Sequence, residues 1–276
     1  MLSTPIMLSY RKIFISISIF LSLIISVQNV LAETWYEDKD KHFIIHYTEN
    51  SDRDWARRVL RRAEKYYNSI ADEIGYTRYH KFWTWEDRVH IVAFKDKETF
   101  TEKTGLPEWS RGGATRDLNL FQTKVIVTYK QEDGFLDGVL PHEISHLILK
   151  DFIGFDRDIP IWFDEGVAQL QEEEKRNKAD YLMRDFIKEG KYIPLPQLMH
   201  YDVRRSDDPK VVGLFYVQSI SVINFMISRY GSTRFGQMCR YLRDGQDFTE
   251  ALKKSYISLL DSLEELQEKW IKNFSY

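Results

Sequence analysis

The spacing of apolar and polar positions along this chain predicts most of its elements. His42-Phe43-Ile44-Ile45-His46-Tyr47 reads as a first strand. From Asp52 to Gly75, the positions Trp55, Val59, Leu60, Ala63, Tyr66, Tyr67, Ile70 and Ile74 keep the three-four rhythm of an amphipathic helix, and the glycine closes it. Arg88 to Phe94 predicts a second strand, Lys95 to Thr104 a short helix ended by Gly105, and Lys124 to Tyr129 a third strand. Between the last two, Pro107 to Asn119 holds the pair Gly112-Gly113 and reads as a loop. A helix from about Asp137 to Lys150 follows, with Asp137 as its N-cap and Pro141 in the first turn, where a missing N–H costs little. Beyond Phe152 to Ile159 the pattern turns helical: 161–174, 178–188, 209–230, 233–243, 247–254 and 262–274, interrupted by an irregular stretch from Pro194 to Asp208. Strands and helices mix in the first half and helices dominate the second, an α+β layout with any site placed where the halves meet.

The first 32 residues stand apart. Arg11 and Lys12 precede an apolar run from Ile13 to Val27 broken only by serines, and Val30-Leu31-Ala32 offers small or β-branched residues at the −3 and −1 positions of a cut. This is the layout of a secretory signal peptide, so an exported protein starting at Glu33 is expected, periplasmic, secreted or extracellular. An uncleaved N-terminal anchor is the alternative, although the run is short of the about 20 residues of a membrane span. A formal net charge of −3 gives no bulk attraction to nucleic acid. The single cysteine, Cys239, excludes an internal disulfide and a cysteine-rich zinc site. The predicted helix from Asp52 carries Arg53, Arg57, Arg58, Arg61, Arg62 and Lys65 on its polar face; with Asp54 and Glu64 as neighbours it reads as a solvated face.

Candidate chemistry centres on His142-Glu143-Ile144-Ser145-His146. In a helix, residues four apart lie about 40° apart and one turn along the axis, so two imidazoles converge on one ion. Glu143, about 100° round from His142, can reach a water at that ion without being a ligand. Leu140, Ile144, Leu147 and Ile148 fall between about 140° and 240° from His142, so the apolar stripe lies opposite the histidine face. His42 and His46 repeat the spacing, but on a strand four residues span about 13 Å, which leaves them structural.

Zinc in a hydrolase takes three protein ligands and one open position. H-E-x-x-H is followed 19 residues later by Glu165, within Pro160-Ile161-Trp162-Phe163-Asp164-Glu165-Gly166-Val167-Ala168. This arrangement resembles the gluzincin metallopeptidases, and more narrowly the peptidase MA-like domain related to the aminopeptidase-N and thermolysin families. The resemblance implies a zincin-like domain over residues 33–276, mixed to about 150 and helical from about 151. It implies one Zn²⁺ held by His142, His146 and Glu165, with Glu143 as general base toward a peptide or protein substrate. It also implies a tyrosine donating to the developing oxyanion. Tyr216 fits that role, sharing a helix face with Ile220, Ile223 and Ile227, ahead of Tyr201 and Tyr129. In thermolysin-like enzymes an acid one turn after the glutamate steadies the first histidine; Gln169 stands there and reads as a surface position, as do Asp164 and Glu172-Glu173-Glu174 as a solvated helix face. Lys124 to Tyr129 is expected to edge the cleft and pair with an extended substrate. The aminopeptidase G-x-M-E-N glutamate has no counterpart in Arg111-Gly112-Gly113-Ala114-Thr115-Arg116-Asp117, which argues against a straightforward aminopeptidase. A zinc-binding but catalytically silent peptide- or envelope-binding module is the alternative reading.

Overall fold

The structure is a computed structural model and describes residues 34–76, 83, 87–108, 110–117, 123–131 and 134–274. The signal segment read from residues 1–32 lies outside the described residues. Five strands form one mixed sheet: β1 (Tyr36–Lys39), β2 (Phe43–Tyr47), β3 (Val89–Phe94), β4 (Gly112–Asp117) and β5 (Thr123–Tyr129), in the order β1-β2-β3-β5-β4. The inner pairs β2–β3 and β3–β5 are parallel, whereas β1 and β4 run antiparallel to their neighbours.

Period-two alternation sends Phe43, Ile45 and Tyr47 of β2 into the core. There they meet α1 (Arg53–Glu73), whose Val59, Ala63 and Ile70 are fully buried. The other sheet face carries Val92, Phe94 and Val125 under α2 (Lys97–Thr104), a helix capped by Asp96 accepting from the Thr99 N–H and ended by Gly105 in the left-handed region.

Two expectations fail here for one reason. Gly112-Gly113 does not form a loop: it opens β4, which pairs with β5 from Gly112↔Thr128 to Asp117↔Thr123. Consequently β5, expected at the cleft edge, is flanked on both sides, and β4 is the outer strand among the described residues. Strand pairing supplies the hydrogen bonds that overrule the glycines' local preference for turns. Strand β1, whose Tyr36-Glu37-Asp38-Lys39 carries no alternation, also forms only because β2 pairs with it.

A π-helical turn, Phe135–Val139, leads into α3 (Leu140–Ile153), so Asp137 lies inside this turn rather than capping the helix. Its carboxylate accepts from the Tyr66 hydroxyl at 2.9 Å and pairs with Arg62 at 2.8 Å. Leu140, Ile144, Leu147 and Ile148 are buried, as the helical wheel requires. The helical half follows: α4 (Ile161–Leu170), α5 (Glu173–Lys188), α6 (Leu195–Leu198), α7 (Pro209–Tyr230), α8 (Ser232–Arg243), α9 (Phe248–Ser255) and α10 (Leu263–Lys272). The α6 turn falls in the stretch expected to be irregular. By length and a mean hydropathy of 1.7, α7 matches a membrane span; its packing against α4, α5 and α8 accounts for that apolarity. Gly166 sets the α4–α7 distance: a Cβ there would stand 2.8 Å from both the Ser219 carbonyl oxygen and Ile223 Cγ1. This close approach packs α4 on α7, and Glu165 from one and Tyr216 from the other line the same cleft.

Candidate metal centre and cleft

Burial of the apolar face of α3 leaves His142 and Glu143 lining a cleft of about 1110 Å³, with the His146 ring packed beside His142. The Nε2 atoms of the two histidines lie 3.1 Å apart. From α4, Glu165 places one carboxylate oxygen 3.9 Å from His142 Nε2 and the other 3.9 Å from His146 Nε2. Ligand atoms of a tetrahedral zinc site with bonds of about 2.1 Å lie about 3.4 Å apart, close to these separations. Among the described residues this is the group of three His, Cys, Asp or Glu able to close around one ion.

The outer ring nitrogens test whether a cation fits. His142 Nδ1 lies 2.9 Å from Glu172 Oε1, and His146 Nδ1 lies 2.7 Å from Asp164 Oδ1. A carboxylate only accepts, so both Nδ1 atoms donate and the neutral tautomer leaves a lone pair on each Nε2. Two lone pairs facing at 3.1 Å require a proton or a metal ion between them. Burial disfavours charge on His146, yet the Asp164 carboxylate outweighs it, with Glu165 and Glu143 adding to the effect, and the imidazole is raised to about 9. A field that strong on an imidazole is a field for a cation, and imidazole with carboxylate suits zinc.

Asp164 and Glu172 were expected on a solvated face; the tertiary fold makes them the partners of the two histidines. Each is in turn matched by a lysine, Asp164 by Lys150 at 3.4 Å and Glu172 by Lys175 at 2.7 Å. Burial raises a carboxyl pKa, and these histidine and lysine partners overcome it to hold both acids below their ordinary range. Gln169, expected at the surface, is only 6% exposed and lines the cleft. No hydrogen bond joins it to His142, whose outer nitrogen belongs to Glu172. Helical periodicity does not lead to Glu172: α4 ends at Leu170, and Glu172 reaches His142 from the extended position that caps α5.

Glu143 stands beside the histidines with 8% exposure. Burial raises its carboxyl above the usual value, with both histidines pulling the other way. β4 runs close by: a Cβ on Gly112 would lie 2.8 Å from Val139 Cγ1 and 3.7 Å from Glu143 Cγ. Thr128 Oγ1 donates to the Arg111 carbonyl at 2.9 Å and Ser110 Oγ to the Gly112 carbonyl at 2.8 Å, fixing the start of that strand. Tyr216 lines the same cleft, and its hydroxyl takes part in no hydrogen bond among the described residues. Burial, then the Glu165 carboxylate, pushes it up to about 12, so it remains an O–H donor at neutral pH. Tyr129 and Tyr201, the other tyrosines considered, instead pack on Phe100 and Phe215. His42 and His46 are not ligands: His42 is bound to Glu64 at 2.6 Å and His46 to His90 at 2.8 Å.

Two histidines on one helix and a glutamate from the next form a group that could hold a metal ion, with a buried carboxylate beside them, on an α+β fold. The family model of the peptidase MA superfamily matches residues 89–273, two thirds of the chain, and the chain belongs to that superfamily. Membership points to a peptidase-like function. A search of curated proteins gives no match.

Proposed function

We propose that this chain is an exported zinc-dependent peptidase, with His142, His146 and Glu165 holding one Zn²⁺ and Glu143 acting as general base. The observation that carries the reading is the facing pair of Nε2 atoms, both outer nitrogens tied to carboxylates, with Glu165 and Glu143 alongside. A zinc ion held there supplies Lewis acidity, both to a water and to the scissile carbonyl. Glu143, its carboxyl raised above the ordinary value by burial, accepts the proton of the attacking water and returns it to the leaving amine. The Tyr216 hydroxyl donates a hydrogen bond to the oxyanion that develops on the carbonyl oxygen. The outer edge of β4, pressed against Glu143 through Gly112, offers main-chain hydrogen bonds to an extended peptide.

The test is a peptide-library digest with wild type and Glu143→Gln, together with zinc content. Wild type is expected to cleave internal bonds, to stop with chelator and to recover with zinc. Glu143→Gln keeps one zinc per chain and loses hydrolysis. Equal cleavage by the two proteins defeats the assignment of Glu143, whereas bound zinc with no cleavage by wild type returns the silent binding module. Export is tested separately: the amino terminus of the protein recovered outside the cytoplasm should be Glu33.

A further inference from the structure

The basic face of α1 is the sequence feature that this mechanism leaves unused. Its six cations divide in the fold. Arg53 and Arg57 are taken up by Asp38, and Arg62 by Asp137. Arg58, Arg61 and Lys65 are exposed and have no ionic partner among the described residues. Glu64, which seemed to balance them, turns away: both its oxygens are bound by His42, at 2.7 Å to the backbone N–H and 2.6 Å to the ring. Asp54 and Asp72 flank the row at its two ends, and neither comes within ion-pair distance of it.

At positions i, i+3 and i+7, the three cations form one stripe about 10 Å long, the reach of about three residues of extended chain. The stripe ends in the cleft, where Lys65 lines the same cavity as His142 and Glu143. We infer that it is a subsite for an acidic segment of the polypeptide substrate, placed where the chain leaves the reacting centre; this rests on the peptidase reading above. The cleft is two-signed, since Glu173 and Glu174 of α5 also line it, so an acidic segment is drawn to α1 and away from α5. A lipid surface fits less well. Three cations fall short of the about four to eight that hold a protein on anionic headgroups. The large exposed apolar side chains, Tyr36, Tyr181, Leu182 and Ile257, lie outside α1.

The experiment compares quenched fluorescent peptides that share one cleavable core and carry acidic, neutral or basic triplets on one flank or the other. Wild type is set against the triple variant Arg58→Gln, Arg61→Gln, Lys65→Gln. Each exposed ion pair is worth about twofold to fivefold, so the acidic-over-neutral preference in kcat/KM should fall about tenfold, through KM, and shrink with added salt. Anisotropy of the same peptides on Glu143→Gln, with and without the triple change, reads binding apart from turnover and should show the same loss. Equal preference in both proteins, or a preference for basic flanks, overturns the subsite. If wild type cleaves nothing while anisotropy still shows an acidic preference that the triple change removes, the hydrolytic reading fails and the subsite stands. Capture of wild type but not the triple variant by phosphatidylglycerol vesicles, without any peptide preference, assigns the stripe to lipid and overturns the proposal.

Discussion

Replacing Glu172 by glutamine is the sharpest test of the proposed metal site. Glutamine keeps the shape and one acceptor but removes the charge that binds the His142 ring at 2.9 Å and Lys175 at 2.7 Å. Loss of such an outer-shell partner costs about 10–100-fold in metal affinity, or about 1.4–2.7 kcal/mol. Because the amide oxygen still accepts from Nδ1, Glu172→Gln should sit near tenfold and Glu172→Ala near a hundredfold. Gln169→Ala is the control: this side chain is buried in the cleft without bonding to His142, so its zinc affinity should stay within about twofold. The assay is competition for zinc against a chromophoric chelator, with circular dichroism to confirm folding. A Glu172→Ala protein that binds zinc as wild type does, or a Gln169→Ala protein that loses more, refutes the assignment of Glu172 as the carboxylate that orients His142.

Tyr216→Phe should lower kcat by about 10²–10³ with zinc affinity unchanged, the loss typical of one oxyanion donor; a rate within about twofold of wild type removes it from the mechanism. Gly166→Ala must fit a Cβ against the Ser219 carbonyl, which cannot yield. Overpacking of about 3 kcal/mol, offset by about 1 from helix propensity, gives a net loss of about 2 kcal/mol. That corresponds to a fall of about 4–8 °C in Tm; an unchanged Tm shows that α4 and α7 separate freely. Acid should destabilise the fold through His90, whose pKa is lowered to about 4 by burial and then by His46. The unfolded chain takes up this proton near pH 6.5 and the folded chain only near 4, so stability is unaffected above 6.5 and is lost as pH falls between those values. The ring is only partly buried, and after allowance for solvent screening the loss is about 1–2 kcal/mol. Melting with chelator present should show Tm lower at pH 5 than at pH 7, with the difference reduced in His90→Gln; an equal difference in the two proteins assigns the acid sensitivity elsewhere.

Much of this protein could be read from local pattern. Helical periodicity is a property of a segment, so α1, α3 and α7 were legible together with the face each buries, and the wheel of α3 already set His142 and His146 against the core side. The downstream Glu165 was legible by its resemblance to a known motif. Strand β4 was not, because glycines that favour turns in isolation are held extended by hydrogen bonds to β5, a partner that no local window contains. Misplacing β4 also misplaced the open edge of the sheet, giving β5 a role that its two neighbours exclude.

The division is clearest among the acids. Asp164, Glu165, Glu172, Glu173 and Glu174 are alike as residues, and periodicity assigns most of them to a polar face. Which faces the inner ring nitrogens, which binds an outer one and which stays in water depends on how α4 and the start of α5 lie across α3. That crossing is set by core packing between α3 and α4, while the glycine contact at Gly166 seats α4 on α7. The same holds for the cations of α1, which are equivalent on a wheel until Asp38 and Asp137 neutralise three of them. Sequence alone determined which histidines could share one ion, because ligand spacing within a helix is local. The tertiary structure decided their support and the approach to them, because hydrogen bonds and ion pairs between distant segments depend on distances that exist only once the chain has packed.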